Sequence, residues 1–334
     1  MTKTGKGNQL RLRAIVTRGK IDQVVLEKRA SLLRNDSVHG DFSGTVVADI
    51  ENSALIINGT TVNVISADAP EDIDYTAYGI NDALVIDNTG AFRDADALAR
   101  HLKSKGVSKV LLTAPGKGVP NIVHGVNHLE YNPDTVDIFS AASCTTNAIT
   151  PVLKAIQDTF GIKHGHLETI HAYTNDQNLV DNFHNKYRRG RAAALNMVIT
   201  ETGAGSAVAK ALPSLEGKLT SNAIRVPVPN GSLAILNLEL ENPTSVEGVN
   251  SIMKKYALEG HLVEQIKYEL SDELVSSDIV GCSAPAIYDS KATIVRQDGK
   301  NVVLYVWYDN EYGYSHQVIR LAKYVSKVRR FTYY

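Results

Sequence analysis

Apolar and polar positions follow two different periods along the chain, and the change of period divides it. A short β-branched run from Arg11 to Thr17 is followed by helix-spaced apolar residues, Val24, Val25, Leu26 and the pair Leu32-Leu33. Ala54 to Ile65 reads as two strands around Asn58-Gly59, and Asn-Gly in that setting predicts a tight hairpin, because both turn positions need positive φ. Ala83 to Asp87 and Lys109 to Thr113 are near-continuous apolar runs on either side of a helical pattern from Asp94 to Lys105. Together they predict a βαβ unit with a buried parallel sheet. Beyond Cys144 the strand candidates lengthen: Leu167 to Tyr173, Ile224 to Val228, Leu233 to Leu240 and Val302 to Tyr308, with helices near Ser206 to Leu212 and Val246 to Leu258. Strands in succession without regular crossovers predict a mostly antiparallel sheet with helices on one face. A last helical pattern runs from Ser315 to Val328, and no internal repeat appears.

Composition adds limits. A chain of 334 residues with 43% hydrophobic content is long enough for two cores. Its 35 basic and 36 acidic residues nearly cancel, which argues against nucleic acid as a partner. Two cysteines leave no disulfide framework and suit a reducing compartment. No apolar run is long enough to span a bilayer, and Met1 to Lys6 is not of signal-peptide type. The expectation is a cytoplasmic protein that does not engage a membrane.

The chemistry concentrates at Ser143-Cys144-Thr145-Thr146-Asn147, where a strand-like run gives way to a helical pattern with Ile149, Val152, Leu153 and Ile156 on one face. A helix start offers unpaired N–H groups and partial positive charge, which favour a thiolate. His171, 27 residues on, supplies a base. The commoner reading of a lone cysteine is a small buried hydrophobe; Cys282, with no helix start or histidine beside it, takes that reading.

Ala142 to Asn147, His171-Ala172-Tyr173-Thr174-Asn175-Asp176-Gln177, Ile224-Arg225-Val226-Pro227 and Trp307 to Ser315 together make the chain resemble the glyceraldehyde-3-phosphate dehydrogenase family, in order from about Arg29 to the C-terminal helix. The resemblance implies an α/β plus α+β fold. An incomplete Rossmann-type NAD(P)-binding domain would occupy residues 1–143, completed by a C-terminal helix over 311–334, and a mostly antiparallel-sheet catalytic domain residues 144–310. It further implies phosphorylating oxidation of glyceraldehyde 3-phosphate through a cysteine thioester, with NAD or NADP as cofactor, inorganic phosphate as second substrate, and a homotetramer. Cys144 and His171 match the catalytic pair. Ser143, Thr145, Arg191, Thr202 and Gly203 match the inorganic-phosphate site. Thr174, Asp176 and Arg225 match the site for the substrate's own phosphate, with Asp176 orienting Arg225 or holding a hydroxyl. Asn88, Thr89, Gly90 and Phe92 match the cofactor cleft, Asn310 the residue that fixes the carboxamide, and Tyr314 the ring packing beside it. Arg188 and Arg189 read as a solvated charge run. Oxidation of erythrose 4-phosphate and a non-catalytic fragment of the family are the competing readings.

Two departures from the family pattern stand out. Only ten residues precede the run at Arg11, whereas a strand, a Gly-x-Gly-x-x-Gly turn and a helix need roughly twice that, since a crossover alone takes ~10–12 residues. Gly5-Lys6-Gly7 and Gly116-Lys117-Gly118 lack the third glycine and read as ordinary turns. The first βα unit is therefore expected to be missing, as in a fragment or a late-start product. Arg18, at the end of the first strand, stands where NAD-preferring members carry an acid; it reads either as a partner for a 2′-phosphate or as an exposed turn arginine. No metal is expected: His39, His164, His166 and His316 lack ligand spacing, and His164-x-His166 reads as a surface pair on a strand.

Overall fold

The computed structural model describes residues 10–328. The chain forms two compact units: unit 1 takes the described residues up to Pro120, Asn132–Ser140 and those from Ile319 on, and unit 2 takes Asn121–Tyr131 and Ala141–Val318.

Unit 1 contains β1 (Ala14–Thr17), α1 (Gln23–Arg34), β2 (Val46–Asp49), β3 (Ala54–Ile57), β4 (Thr60–Ser66), β5 (Ala83–Asp87), α2 (Ala95–Ala99), β6 (Val107–Leu112) and β7 (Ile138–Ser140). They make two sheets, one in the order β1-β4-β3-β2 and one in the order β5-β6-β7. The Asn58-Gly59 hairpin forms as expected, with φ of 48° and 75° and Ile57 opposite Thr60. The Asp22 carboxylate accepts from Val25 N (2.9 Å) and starts α1. Leu26 and Ala30, four apart, face the core of Val46, Leu55, Ile57, Val62 and Val64. Leu32 lies off that face and is 78% exposed. The βαβ unit is present, with β5, β6 and β7 parallel. Its helix is shorter than the spacing predicts, because after Ala99 the backbone tightens into a 3₁₀ turn over Arg100–Lys103. That turn carries His101 inward, where its Nε2 lies 3.0 Å from Asp87 Oδ2. Burial alone would raise the Asp87 carboxyl, but bonds from His101 and Thr89 outweigh it and hold it below the usual carboxylate range.

Unit 2 contains α3 (Cys144–Phe160), β8 (Ile162–Ala172), β9 (Val198–Thr200), α4 (Ala204–Ala211), β10 (Leu219–Val226), β11 (Ser232–Leu240), α5 (Val246–Leu258), β12 (Ile266–Glu269), β13 (Ala286–Asp289), β14 (Ile294–Val295), β15 (Asn301–Tyr308) and the first turns of α6 (Tyr312–Val325). The sheet runs β12-β13-β15-β11-β8-β10-β9, with β14 beside β15. It is mixed: β8 and β10 are parallel, as are β12 and β13, and the other neighbours are antiparallel. Ile149, Val152 and Ile156 of α3 share one core with Val208, Val249 and Met253 of α4 and α5 and with Leu167, Leu236 and Leu304 of the sheet. Each such side chain contributes about 1.5–3 kcal/mol on burial, so α3, and the residue that begins it, is held along its length. His166 bonds Thr220 and Asn222 of the neighbouring strand (2.8 and 2.7 Å), the surface role its spacing predicted.

The unit boundaries depart from the expected 143/144 and 310/311 divisions. Residues 121–131 count with unit 2, because Val126 packs on its core and His124 meets Gln265 (3.4 Å). The opening of α6 also counts with unit 2 as far as Val318, where Gln317 bonds Asn147 (3.0 Å) and Gln265 (2.6 Å). Among the described residues no helix is long and apolar enough to cross a membrane, and no group of three or more His, Cys, Asp and Glu side chains is placed to hold a metal ion.

Candidate active site

Cys144 is the first residue of α3, and the turn before it is held on several sides. Ala142 adopts a left-handed φ of 55°, a conformation costing about 1–3 kcal/mol outside glycine. The Tyr314 hydroxyl donates to its carbonyl (2.9 Å), and Asn147 Nδ2 donates to Ala141 O (2.8 Å) and Ser143 O (2.9 Å). Ser143 caps the helix: its hydroxyl accepts from Thr146 N (3.1 Å) and meets Thr146 Oγ1 (2.8 Å).

His171 Nε2 lies 3.5 Å from Cys144 Sγ. On the far side of the ring, Nδ1 is 2.7 Å from Ala172 O and 2.7 Å from Arg225 Nη1, which also donates to Ala172 O (2.9 Å). The parallel ladder of β8 and β10 creates this meeting, because its register sets Arg225 opposite His171. Arg225 Nε is buried without a partner. The Tyr308 ring stands edge-on to His171 (5.9 Å between centroids, 75°), and its hydroxyl bonds Thr145 Oγ1 (3.0 Å).

Burial pushes the His171 imidazole down to about 4, with the Arg225 charge adding to it. Burial also pushes the Cys144 thiol up, against smaller lowering effects of the Thr145 hydroxyl and Arg225. This direction runs against the thiolate that the helix start alone would favour. For the half-buried sulfur, desolvation opposes the helix terminus, and it favours the thiol beside a neutral imidazole.

The remaining predicted residues divide between places. Asp176 pairs with Arg189, not Arg225, and Arg189 also donates to Thr200 Oγ1 (3.0 and 2.9 Å). Arg189 is therefore no free surface charge. Arg191 pairs with Asp181 (3.0 Å) on the surface. Thr174 is half-buried in the loop after β8. Gly203 precedes α4, whose first amides are already taken: Ala204 N by Thr202 Oγ1 (3.3 Å) and Gly205 N by Ser221 Oγ (3.1 Å). Asn310 Oδ1 accepts from Gly231 N (3.2 Å) and Ser232 Oγ (2.9 Å), and its amide NH₂ has no partner among the described residues. In unit 1, Arg18, Asn88, Thr89 and Phe92 line one cavity of about 590 Å³. Gly90, in the same loop, has φ of 74°. Sequence reasoning read Arg189 as a solvated charge and gave no role to Tyr308, Ser232 or Gln177, the last of which has a buried amide with no partner among the described residues. Tyr308 was readable as the last inward position of an alternating strand next to Asp309-Asn310. Ser232 was not, because its partners Ala172 and Asn310 lie 60 and 78 residues away.

Two family profiles match the chain: glyceraldehyde 3-phosphate dehydrogenase, NAD binding domain, over residues 6–95, and glyceraldehyde 3-phosphate dehydrogenase, C-terminal domain, over residues 143–310. The chain is 58% identical over 322 residues to a glyceraldehyde-3-phosphate dehydrogenase-like protein of Pseudomonas aeruginosa (strain UCBPP-PA14), covering 96% of this chain and 69% of that protein. It is 42% identical over 298 residues to glyceraldehyde-3-phosphate dehydrogenase 1 of Bacillus cereus, covering 89% and 87%. With glyceraldehyde-3-phosphate dehydrogenase of Ogataea parapolymorpha it shares 40% over 332 residues, covering 97% and 96%.

Proposed function

Because the chain belongs to the glyceraldehyde-3-phosphate dehydrogenase family, NAD-dependent oxidoreductases, we propose that it oxidises glyceraldehyde 3-phosphate to 1,3-bisphosphoglycerate through a thioester on Cys144. The observation that carries this reading is the Cys144 Sγ to His171 Nε2 approach of 3.5 Å at a helix start. The sulfur attacks the aldehyde carbon while its proton passes to Nε2. The Cys144 N–H at the start of α3 stabilises the oxyanion that forms, Nε2 hands its proton to that oxygen to give the hemithioacetal hydroxyl, and the neutral His171 then takes the same proton back as hydride leaves the carbon. Bound NAD(P) supplies the hydride acceptor that turns the hemithioacetal into a thioester. Inorganic phosphate releases the product by attack on the thioester carbon, and Cys144 leaves as the thiolate.

NAD(P) is the cofactor, and the residues present fit it. Within unit 1, Arg18, Asn88, Thr89 and Phe92 line a cavity suited to the nucleotide portion; within unit 2, taken by itself, the Asn310 amide group left over from its Oδ1 bonds is suited to a carboxamide.

Arg225, with its unpaired Nε, is assigned to the substrate's phosphate. Thr174 joins it, while Asp176 acts through Arg189. Leu179, Phe183, Tyr187, Leu195 and Met197, each more than three-quarters exposed on the 179–199 segment, are assigned to contacts with further copies in a homotetramer; Phe183→Asp should lower the sedimentation coefficient. The deciding experiment follows nicotinamide reduction with glyceraldehyde 3-phosphate and phosphate, in the parent, Cys144→Ala and Cys282→Ala. Loss in the first variant alone supports the reading, and turnover that survives Cys144→Ala overturns it. Running erythrose 4-phosphate in parallel separates the two substrates, and no turnover at saturating cofactor favours the non-catalytic fragment.

A further inference from the structure

Four buried side chains of unit 2 form a chain of hydrogen bonds that ends on the turn before Cys144. Asn147 Nδ2 donates to Ala141 O (2.8 Å) and Ser143 O (2.9 Å), and Asn147 Oδ1 accepts from Gln317 Nε2 (3.0 Å). Gln317 Nε2 also donates to Gln265 Oε1 (2.6 Å), and Gln265 Nε2 lies 3.4 Å from His124 Nδ1. Asn147 and Gln317 are 1% exposed and Gln265 not at all, so water does not complete these bonds.

The direction of the chain follows from its first link. The two ends of an amide are alike in shape and are told apart by their partners. The carbonyls of Ala141 and Ser143 only accept, so the end of Asn147 that faces them is its NH₂. Its oxygen is then turned to Gln317, which must present a donor and gives its other N–H to Gln265. Turned the other way, the Gln317 amide would set oxygen against oxygen at both places. Room for the arrangement is built in: a Cβ on Gly125 would stand 2.6 Å from Gln265 Cγ, so glycine there lets Gln265 take its place.

Tyr314, three residues before Gln317 and so on the same face of α6, donates to Ala142 O (2.9 Å). The carbonyls of Ala141, Ala142 and Ser143 are thus all held, the middle one by Tyr314 and the outer two by the amide that Gln317 orients. A left-handed alanine persists only where its surroundings over-determine it, and a fully satisfied buried network is stiff. We infer that Gln317 is a positioning residue for Cys144: by donating to Asn147 it fixes the turn at Ala142, and with it the place of the Cys144 sulfur and N–H. This rests on the role of Cys144 as nucleophile.

The test uses the full chain with Gln317→Met, which keeps the length of the side chain and removes its donor, and Gln317→Glu, which turns an oxygen towards Asn147 Oδ1. Each leaves buried acceptors unmet, so kcat with glyceraldehyde 3-phosphate should fall by about tenfold in the first variant and further in the second, while KM for the aldehyde and for NAD holds within about twofold. Hydrogen exchange read by mass spectrometry should quicken over residues 141–147 and not over β11. A structural role alone would lower the melting temperature and leave kcat of the folded enzyme as it was, and that result overturns the inference, as does unchanged exchange over 141–147. If Gln317→Glu fails to fold, Gln317→Met decides. If the parent itself shows no turnover, the reading of Cys144 as nucleophile falls, and the exchange rates alone decide for or against Gln317.

Discussion

Arg225 Nη1 lies 2.7 Å from His171 Nδ1, on the side of the ring opposite Cys144. Nδ1 thus sits between a donor, Arg225, and an acceptor, Ala172 O. When it accepts from Arg225, the ring proton is at Nε2 and points at the sulfur. When it donates to Ala172 O, Nε2 is bare and acts as a base. An anion that draws the guanidinium away selects the second arrangement and relieves the charge that depresses the imidazole, so anion binding and base strength are coupled through one side chain.

Acid stability should report His171. Its folded-state value of about 4 lies below the ordinary 6.5, so the unfolded chain takes the proton first. Stability is fully present above pH 6.5 and falls as pH drops towards 4, by about 3 kcal/mol from this group. Urea unfolding at neutral pH and near pH 4 measures the loss. His171→Gln should lose less on acidification than the parent, and equal losses would show that the ring is not buried neutral.

Alkylation of Cys144 should rise steeply with pH. Burial raises its thiol above the ordinary cysteine range, so the thiolate is scarce at neutrality and labelling should gain about tenfold per pH unit into the alkaline range. Arg225→Gln removes a lowering charge and should slow labelling further at fixed pH. A rate already level by pH 7 would instead mean a thiolate–imidazolium pair. Mass spectrometry of iodoacetamide adducts, with Cys282 as internal reference, distinguishes the two.

Arg225→Lys keeps charge but loses the planar fork. For a phosphorylated aldehyde, kcat/KM should fall by the equivalent of about 1.5–3 kcal/mol, the worth of a charged hydrogen bond. Steady-state kinetics with phosphorylated and unphosphorylated aldehydes provide the check. A loss shared equally by both substrates would make Arg225 a positioning residue for His171 rather than a phosphate ligand.

Ser143→Ala should cost about 1 kcal/mol of stability, as expected for a helix cap. The melting temperature should drop while KM for inorganic phosphate stays nearly unchanged. If KM for phosphate rises while the melting temperature holds, the hydroxyl serves the anion instead.

Local chemistry was the part legible in the sequence. Asn58-Gly59 fixes its hairpin because positive φ is a property of two residues, and the helix start at Cys144 follows from Ser143 and the apolar spacing after it. What depended on distant partners was not legible. The sequence placed Arg225 near a phosphate, but its contact with Nδ1 comes from the register of β8 on β10. Arg189 looked like one of a run of surface charges until the fold brought Asp176 and Thr200 to it. The opposing influence on Cys144 was hidden for the same reason: a helix terminus is visible in the chain, whereas the desolvation of a thiol is a property of everything packed around it.

The bond from Tyr314 to Ala142 spans 172 residues of chain, and this has a consequence for the protein during its synthesis. A ribosome delivers residues in order, and Ala142, Ser143 and Cys144 leave the exit tunnel long before Tyr314 does. Until then the left-handed turn at Ala142 lacks one of its ties. The nucleophile's setting is complete only once Tyr314 has emerged, so a product that stalls or terminates before that residue carries the cysteine without its finished surroundings.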